Sequence, residues 1–486
     1  MAQKMLKFVS LAQAMPDKRK ATDRTNDFQE IYQRFATDKA SEQASRCSQC
    51  GIPYCQIHCP LQNNIPDWLK LTAEGRLEEA YELSSATNTF PEMCGRICPQ
   101  DRLCEGNCVI EKDFSSVTIG SVEKYITDTA WEKGWVKTFA PKTENGLSVG
   151  IIGAGPGGLA AAESLRRKGY AVHVYDRHDR VGGLLVYGIP GFKLEKDIVL
   201  RRQKQYEDSG VQFHLNFEVG RDATLQDLRA RHDSVIIATG VYKARDVQVP
   251  GAGLKNVVAA LDYLIASNRK SLGDAVPAFD SGALDAKGKH VVVIGGGDTA
   301  MDCVRTAVRQ GALSVKCLYR RDKDNMPGSM REVANAEEEG VEFVWLSAPL
   351  GFTGKDGQAK DGAGDVAGVI VQKMRLGAPD ATGRRSPEPI KDHHETIPAD
   401  LVIKALGFDP ENLPVLFKAP ELAVTRWGTV KADHSTAMTN LDGVFAVGDI
   451  VRGASLVVWA IRDGREAATS VHQYLQARAS LRAAAE

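Results

Sequence analysis

The chain has 486 residues, of which 43% are hydrophobic and 25% charged, and its formal net charge is -1. This ordinary composition excludes disordered and fibrous classes, and the near-zero charge argues against a nucleic-acid partner. No stretch approaches the roughly 18 consecutive apolar residues that a membrane span needs, so we expect no membrane association. At roughly 150 residues per domain, the length predicts about three domains.

The N-terminal region, up to about residue 140, has helical patterns, little strand pattern and most of the cysteines. The start, from Met1 to Phe8, lacks the apolar segment of a secretory signal, so we expect a cytoplasmic protein. In that compartment thiols stay reduced, and clustered cysteines bind metal more often than they form disulfides. The eight cysteines, spaced CxxCx4Cx3C and then Cx3Cx5Cx3C, are Cys47, Cys50, Cys55, Cys59, Cys94, Cys98, Cys104 and Cys108.

Eight thiolates are the number that two [4Fe–4S] clusters require, and this pattern therefore predicts an iron–sulfur domain. Structural zinc is the main alternative. It commonly uses two CxxC pairs at each site, however, and this chain has one CxxC. Disulfides are a third possibility, which the expected reducing compartment disfavours.

From Leu147 onward, short β-branched runs alternate with alanine-rich helical patterns, as in a doubly wound α/β fold. A glycine-rich turn, Gly153 to Gly158, lies between a predicted strand at Ser148–Ile152 and a predicted helix. Such a turn admits a pyrophosphate to the backbone and to the N-terminus of the helix. Asp176 ends the next predicted strand, where a carboxylate would hold ribose hydroxyls. An empty fold with glycine turns is the alternative.

Three further segments, Arg180–Leu184, Val235–Gly240 and Gly443–Asp449, resemble the set that recurs in flavoproteins with two dinucleotide-binding domains. In those proteins the final Gly-Asp meets the ribityl chain of the flavin. The FAD-binding residues predicted from these motifs are Gly153, Gly155, Gly157, Gly158, Asp176, Gly183, Leu184, Thr239, Gly448 and Asp449.

A second fingerprint follows the predicted strand His290–Ile294 and ends in alanine, which this motif allows. Two arginines stand at the end of the next strand, where an NAD site has an acid. Guanidinium groups can fork onto a 2′-phosphate, so we predict NADPH, with solvated surface arginines as the alternative. The predicted NADPH-binding residues are Gly295, Gly297, Asp298, Thr299, Ala300, Arg320 and Arg321.

The motifs together predict electron transfer from a nicotinamide to a flavin and then to iron–sulfur clusters. No CxxC or Cx4C pair follows the first fingerprint, which argues against a dithiol reductase. A zinc-stabilised, nucleotide-binding scaffold is the alternative from another class. The stretch Gly351 to Glu395 is rich in Gly, Asp, Lys and Pro around one apolar run, Val366 to Met374, and predicts exposed hairpins rather than a fourth domain.

The fold class that we predict is α/β, with an N-terminal helical iron–sulfur domain followed by two Rossmann-like dinucleotide-binding domains. The NADPH domain is inserted within the FAD domain. The predicted ranges are 1–145 for the cluster domain, 146–250 and 406–486 for the FAD domain, and 251–405 for the NADPH domain.

The order and spacing of these motifs resemble the small (beta) subunit family of bacterial NADPH-dependent glutamate synthase over essentially the whole chain. The segments Cys47–Cys55 and Gly182–Pro190 are especially similar to that family's pattern. The same module appears in dihydropyrimidine dehydrogenase and in electron-bifurcating ferredoxin:NADP oxidoreductases, which are the alternative assignments.

The resemblance implies crossed cluster ligation, whereas the sequence alone leaves open a split into the two consecutive blocks. The set implied for cluster one is Cys47, Cys50, Cys55 and Cys108; the set for cluster two is Cys59, Cys94, Cys98 and Cys104.

The resemblance also implies that hydride passes directly from NADPH to FAD, so no catalytic side chain is predicted. Electrons then leave through the clusters to a large (alpha) subunit carrying FMN, which makes L-glutamate from L-glutamine and 2-oxoglutarate. We expect this partner to dock on the cluster domain, with the charged run Asp17 to Lys20 as a first surface to probe.

Overall fold

The computed structural model describes residues 3–355, 364–380 and 385–485. The N-terminal region is helical, and its core includes Trp68, Leu69, Val122 and Ile126 with the cysteine-bearing loops around them. Its helices are α1 (Ala21–Arg24), α2 (Thr37–Ala44), α3 (Tyr54–Ile57), α4 (Ile65–Ala73), α5 (Leu77–Thr87), α6 (Pro91–Ile97), α7 (Glu111–Phe114) and α8 (Ile119–Glu132), with 3-10 turns at Lys7–Val9 and Gln100–Arg102.

A first parallel sheet follows the helical region. Its strands are β1 (Ser148–Ile152), β2 (Ala171–Tyr175), β3 (Gln212–His214), β4 (Ser234–Ile237) and, from the C-terminal part of the chain, β15 (Val444–Ala446). The spatial order is β15-β4-β1-β2-β3. The central strands are short β-branched runs that are buried, as expected of a sheet covered on both faces.

Helices connect and cover this first sheet. They are α9 (Pro156–Arg166), α10 (Leu184–Tyr187), α11 (Lys196–Asp208), α12 (Leu225–Arg231), α17 (Leu413–Leu416), α18 (Asp449–Arg452) and α19 (Val457–Ala485). Residues of α9 and of α19 share one hydrophobic core with β1 and β2, so the C-terminal helix completes the domain that β1 begins.

A second parallel sheet lies between β4 and β15 in the chain. Its strands are β6 (Val257–Ala259), β7 (His290–Ile294), β8 (Ser314–Leu318), β9 (Glu342–Val344) and β13 (Leu401–Lys404), in the order β6-β13-β7-β8-β9. Its helices are α13 (Ala260–Ser271), α14 (Pro277–Asp280), α15 (Asp298–Arg309) and α16 (Met330–Glu338). A short pair, β5 (Lys243–Ala244) with β14 (Phe408–Asp409), joins the outgoing and returning chain segments. The domain boundaries at 145, 250 and 405 stay predictions.

The stretch predicted as exposed hairpins forms an antiparallel sheet of β10 (Ser347–Gly354), β11 (Val366–Pro379) and β12 (Arg385–Pro398). Residues 356–363 and 381–384 of that stretch lie outside the described residues. The prediction was right for β12, which is mostly exposed, and wrong for β11. Val369 and Val371 of β11 are fully buried against the second parallel sheet, because their side chains complete its core. Within the described ranges, no helix is long and apolar enough to cross a membrane.

Candidate functional site

The first glycine-rich turn joins β1 to α9, and its glycines have two different structural roles. Gly153 has a φ of +113°, and a Cβ there would lie 2.4 Å from the Ala238 carbonyl oxygen. A Cβ on Gly158 would lie 2.0 Å from the Gly153 oxygen. Gly155, by contrast, has no atom within 4 Å of the place of a Cβ. Gly153 and Gly158 therefore shape the turn, and Gly155 leaves the space that a pyrophosphate needs beside the α9 N-terminus.

A cavity of about 640 Å³ opens above this turn, and three parts of the chain form its walls. The predicted nucleotide-site residues that line it are Gly153, Gly155, Gly157, Asp176, Gly183, Leu184, Thr239, Gly448, Asp449, Asp298 and Thr299. The other predicted ones, Gly158, Gly295, Gly297, Ala300, Arg320 and Arg321, do not line it. The N-terminal region contributes the segment from Gly95 to Gln100, which includes Cys98.

Two acidic side chains line the cavity. Asp176 follows β2, and its carboxylate accepts hydrogen bonds from the backbone N–H groups of Ala154 at 2.7 Å and His178 at 2.8 Å. It therefore fixes the turn as well as reaching the cavity. Asp449 begins α18, and burial raises the pKa of its carboxyl to about 6. Both placements suit hydroxyl-bearing ligands, since a carboxylate accepts hydrogen bonds from them.

The glycines of the second turn, between β7 and α15, have the same two roles. Gly295 has a φ of +149°, and a Cβ there would meet the Ala405 carbonyl oxygen at 2.3 Å. Gly297 has nothing within 4 Å of the place of a Cβ. Ala300, at the last position of the motif, is fully buried in the core of the domain. The turn can thus take a second pyrophosphate at the N-terminus of α15.

Arg320 and Arg321 follow β8 and the buried Tyr319. Arg320 is exposed and Arg321 half-buried. The Nε of Arg321 is buried and has no hydrogen-bond partner among the described residues. A buried donor without a partner calls for an explanation, and an anionic group such as a 2′-phosphate would supply one.

The cysteines of the N-terminal region fall into two interacting groups. Burial, and then the negative charge of Cys108, raise the pKa of the Cys55 thiol to about 12. Burial also raises the pKa of Cys47, and the charge of Cys108 acts in the same direction. Burial also raises the pKa of Cys108, with a smaller contribution from the charge of Cys50. Cys108 thus lies near the cysteines of the first block although it ends the second.

The second group forms around Cys98. A hydrogen bond with Cys94 raises the pKa of Cys98, as do burial and the charges of Cys94 and Cys104. Burial raises the pKa of Cys59 to about 11, with a smaller contribution from Cys94. The pKa of Cys104 is raised by burial, then by the charges of Glu105 and Cys59. These proximities support the crossed sets, which stay a prediction.

The cysteine groups fit iron–sulfur clusters in their chemistry. Among residues 3–355, 364–380 and 385–485, no three Cys, His, Asp or Glu side chains converge as ligands of one metal ion. The four thiolates of a [4Fe–4S] cluster bind four different iron atoms, so they need not converge on one point. Four sulfur donors in each predicted group, in buried or half-buried positions, suit that cluster better than a single zinc ion.

Sequence reasoning missed the charged side chains of the cavity and of the contacts beside it. The Nζ of Lys193 lies 2.9 Å from an Asp302 oxygen, and both residues line the cavity. Burial raises the pKa of Asp302 to about 6, although Lys193 acts in the opposite direction. Lys193 closely follows the segment Gly182–Pro190. That segment is the sequence feature that could best have indicated a role for Lys193 at the site.

Glu339 joins the N-terminal region to the second sheet. Its side chain has no exposed surface and accepts hydrogen bonds from Arg24, Arg305 and Arg309, at 2.7 to 3.1 Å. Arg24 comes from the N-terminal region, 315 residues away. The carboxylate therefore fixes α16 and α15 against the region that carries the cysteines.

Comparison with known proteins defines the class in two parts. Residues 24–135 match the family described as dihydropyrimidine dehydrogenase domain II, 4Fe-4S cluster. Residues 147–464 match the pyridine nucleotide-disulphide oxidoreductase family. Mycobacterium tuberculosis FprA, solved in complex with NADPH, has the same fold over 69% of this chain and 85% of its own, with a TM-score of 0.58 and 21% identity. The chain is thus a pyridine nucleotide oxidoreductase preceded by an iron–sulfur domain.

Relatives that align with nearly the whole chain identify the family within this class. The chain is 68% identical to the glutamate synthase [NADPH] small chain of Azospirillum brasilense, over 98% of both chains. It is 46% identical to that of Escherichia coli, over 98% of this chain and all of the other. The chain belongs to the glutamate synthase [NADPH] small-chain family, as the resemblance in its motifs predicted. It is an NADPH-dependent oxidoreductase.

Proposed function

We propose that this chain is the electron-input subunit of glutamate synthase. It oxidises NADPH at FAD and passes electrons through two [4Fe–4S] clusters to an FMN-bearing large subunit. That subunit uses them to make L-glutamate from L-glutamine and 2-oxoglutarate. The observation that carries this proposal is the shared cavity, because its walls include the first nucleotide turn, Asp298 and Thr299 at the start of α15, and a cysteine of the cluster domain.

The residues fit three kinds of cofactor. The turn at Gly155 would hold the FAD pyrophosphate, with Asp176 and Asp449 at the sugar and ribityl hydroxyls. The turn at Gly297 would hold the NADPH pyrophosphate, with the two arginines at the 2′-phosphate. When bound, these groups supply hydride acceptance and single-electron transfer. We propose the same residues and domain ranges for these sites that the motifs predicted.

The cavity gives the two cysteine groups different positions. Cys98 belongs to the group assigned to cluster two and lines the cavity, as do Gly183 and Asp449. Cys47, Cys50, Cys55 and Cys108, assigned to cluster one, do not line it. We therefore propose that cluster two is nearer the flavin and cluster one nearer the partner.

The side chains of the protein would position the two cofactors and exclude water from them. The hydride transfer itself needs no side chain as acid or base. The Lys193–Asp302 ion pair joins the two nucleotide-binding domains, and the Glu339 contacts join the second of them to the N-terminal region. Together they would fix how the two nucleotide turns face each other. Alignment and exclusion of water are what direct hydride transfer requires of a protein. A reducing, cytoplasmic location would keep the cluster cysteines available.

The test compares the holoprotein alone with the holoprotein plus its large subunit. Alone, it should reduce ferricyanide with NADPH and make no glutamate from glutamine and 2-oxoglutarate. Adding the large subunit should give glutamate formation. Glutamate formed by this chain in isolation would contradict the proposal. Electron delivery to uracil or ferredoxin, and none to glutamate synthesis, would move the chain to a sister family.

A further inference from the structure

A segment of the N-terminal region reaches the nucleotide cavity. We call residues 15–33 the N-terminal arm. The arm lies far before both nucleotide turns in the chain, and no nucleotide motif marks it. One wall of the cavity therefore comes from outside the two dinucleotide-binding domains. The arm residues that line the cavity are Met15, Pro16, Glu30, Ile31, Tyr32 and Gln33.

The two ends of the arm are paired with each other. Lys18 and Tyr32 form an antiparallel bridge, and the Arg19 N–H donates a hydrogen bond to the Ile31 carbonyl oxygen at 2.9 Å. The arm is thus a loop whose ends are joined by backbone hydrogen bonds. Both of these ends line the cavity.

Side chains of the arm bind it to α16 of the second dinucleotide-binding domain. The buried Arg24 guanidinium donates hydrogen bonds to Glu338 and Glu339, both at 2.8 Å. Lys18 forms an ion pair with Glu338 at 2.6 Å. Lys18 belongs to the charged run Asp17 to Lys20, so this side chain of the run is engaged within the chain. The arm therefore has a fixed position on the second domain.

The arm also contacts the segment before α11, which belongs to the first sheet. The N–H of the buried Ile31 donates a hydrogen bond to the Phe192 carbonyl oxygen at 3.3 Å. Tyr32 is half-buried, and its hydroxyl donates to Asn335 Oδ1 of α16 at 3.3 Å. Arg331 of the same helix lines the cavity. Tyr32 is therefore held in the cavity wall by the arm and by α16.

The placement of the second nucleotide turn decides which half of the coenzyme meets the arm. Asp298 and Thr299, at the start of α15, line the cavity, whereas Arg320 and Arg321 do not. A coenzyme with its pyrophosphate at α15 and its 2′-phosphate at the arginines would keep its adenosine half outside the cavity. Its nicotinamide half would then extend into the cavity, towards the first turn. That is where direct hydride transfer to a flavin requires it.

We propose that the N-terminal arm forms part of the binding site for the nicotinamide half of NADPH, with Met15 and Tyr32 in contact with it; this rests on the proposed function above. An aromatic ring and a thioether offer large apolar contacts to a flat ring. Because the arm is fixed to segments of both dinucleotide-binding domains, such contacts also restrict the orientation of the nicotinamide ring. Coenzyme binding would thus depend on the region that carries the cysteines.

The experiment measures, by calorimetry, the affinity of the oxidised, cofactor-loaded protein for NADP⁺ and for adenosine 2′,5′-bisphosphate. The second ligand has the adenosine half of the coenzyme without the nicotinamide half. Tyr32→Ala should raise the dissociation constant for NADP⁺ about tenfold and leave that for the bisphosphate unchanged. Tyr32→Phe keeps the ring and should bind both ligands like the unchanged protein. The matched control is Tyr81→Ala, because Tyr81 is a half-buried tyrosine of α5 that does not line the cavity. It should change neither affinity.

Each outcome decides the proposal. Unchanged NADP⁺ affinity in Tyr32→Ala overturns it. Equal losses for the two ligands also overturn it, because the arm would then act only through the packing of the second domain. If Tyr32→Ala loses its flavin or cluster absorbance, Met15→Ala gives the same test at the other end of the arm.

The placement of NADPH is tested separately with Gly297→Ala. No atom lies within 4 Å of the place of a Cβ at Gly297, so the added methyl group occupies only the space assigned to the pyrophosphate. This variant should bind both NADP⁺ and the bisphosphate more weakly. Unchanged affinity for NADP⁺ would contradict the placement itself, whatever the result for Tyr32.

Discussion

Replacing Glu339 by glutamine should weaken the contact between the cluster domain and the NADPH domain. The change keeps the size of the side chain and removes the charge that faces Arg24, Arg305 and Arg309. Removing one partner of a buried ion pair costs about 3–5 kcal/mol, because the remaining charge is left uncompensated. We expect a loss of that size in the free energy of unfolding at pH 7.

The pKa of Glu339 gives a second value for its contribution to the free energy of unfolding. Burial alone would raise it, but the hydrogen bonds from Arg309 and Arg305 outweigh burial and lower it from 4.5 to about 2. A shift of that size is worth about 3 kcal/mol. Because the folded-state pKa is the lower one, this stabilisation is present above pH 4.5 and is lost as the pH falls towards 2. The effect of Glu339→Gln should therefore be largest at neutral pH.

The assay follows the first unfolding transition in denaturant, since several domains need not unfold together. The matched control is Glu338→Gln. Glu338 is the neighbouring residue, pairs with Arg24 and Lys18, and has a side chain that is 44% exposed. Exposed pairs contribute up to about 1 kcal/mol, so the control should lose little. Equal losses in the two variants would refute the assigned role of Glu339.

Three further predictions concern cofactors and a buried lysine. Anaerobically prepared protein should contain about eight iron and eight labile sulfide per chain, and Cys98→Ser or Cys108→Ser should each lose one cluster. Iron analysis checks this, and stoichiometric zinc without sulfide would contradict it. Replacing Arg320 and Arg321 together by alanine should lower the preference for NADPH over NADH by roughly 3 kcal/mol, on the order of a hundredfold. Kinetics with both coenzymes test this; unchanged discrimination would place phosphate recognition elsewhere. Lys196, whose Nζ meets the carbonyl oxygens of two nearby residues, has its pKa lowered by burial from 10.5 to about 7. The unfolded chain binds that proton between those values, so stability should rise from pH 7 towards 10.5, and Lys196→Met should flatten the rise. An equally steep rise in that variant would show that other groups cause it.

The sequence by itself determined the nucleotide turns. A buried β-branched run, a turn that needs positive φ at Gly153 or Gly295, and a helix directly afterwards form a local pattern within about fifteen residues. Their neighbours in the chain impose these conformations, so the strand–turn–helix order could be predicted. The number of cysteines was equally visible, and with it the choice of an iron–sulfur domain, which the family match confirms.

Only the tertiary structure decided what those elements contact. Spacing left the grouping of Cys108 open, and packing brings it near Cys47 and Cys55. The partner of Arg24 is 315 residues away, and the exposure of Ile52 contradicts what its residue type suggests. Local conformation follows from neighbouring residues, whereas burial and charge pairing depend on segments that meet only when the domains pack. The nucleotide turns were therefore predictable, and the contacts between domains were not.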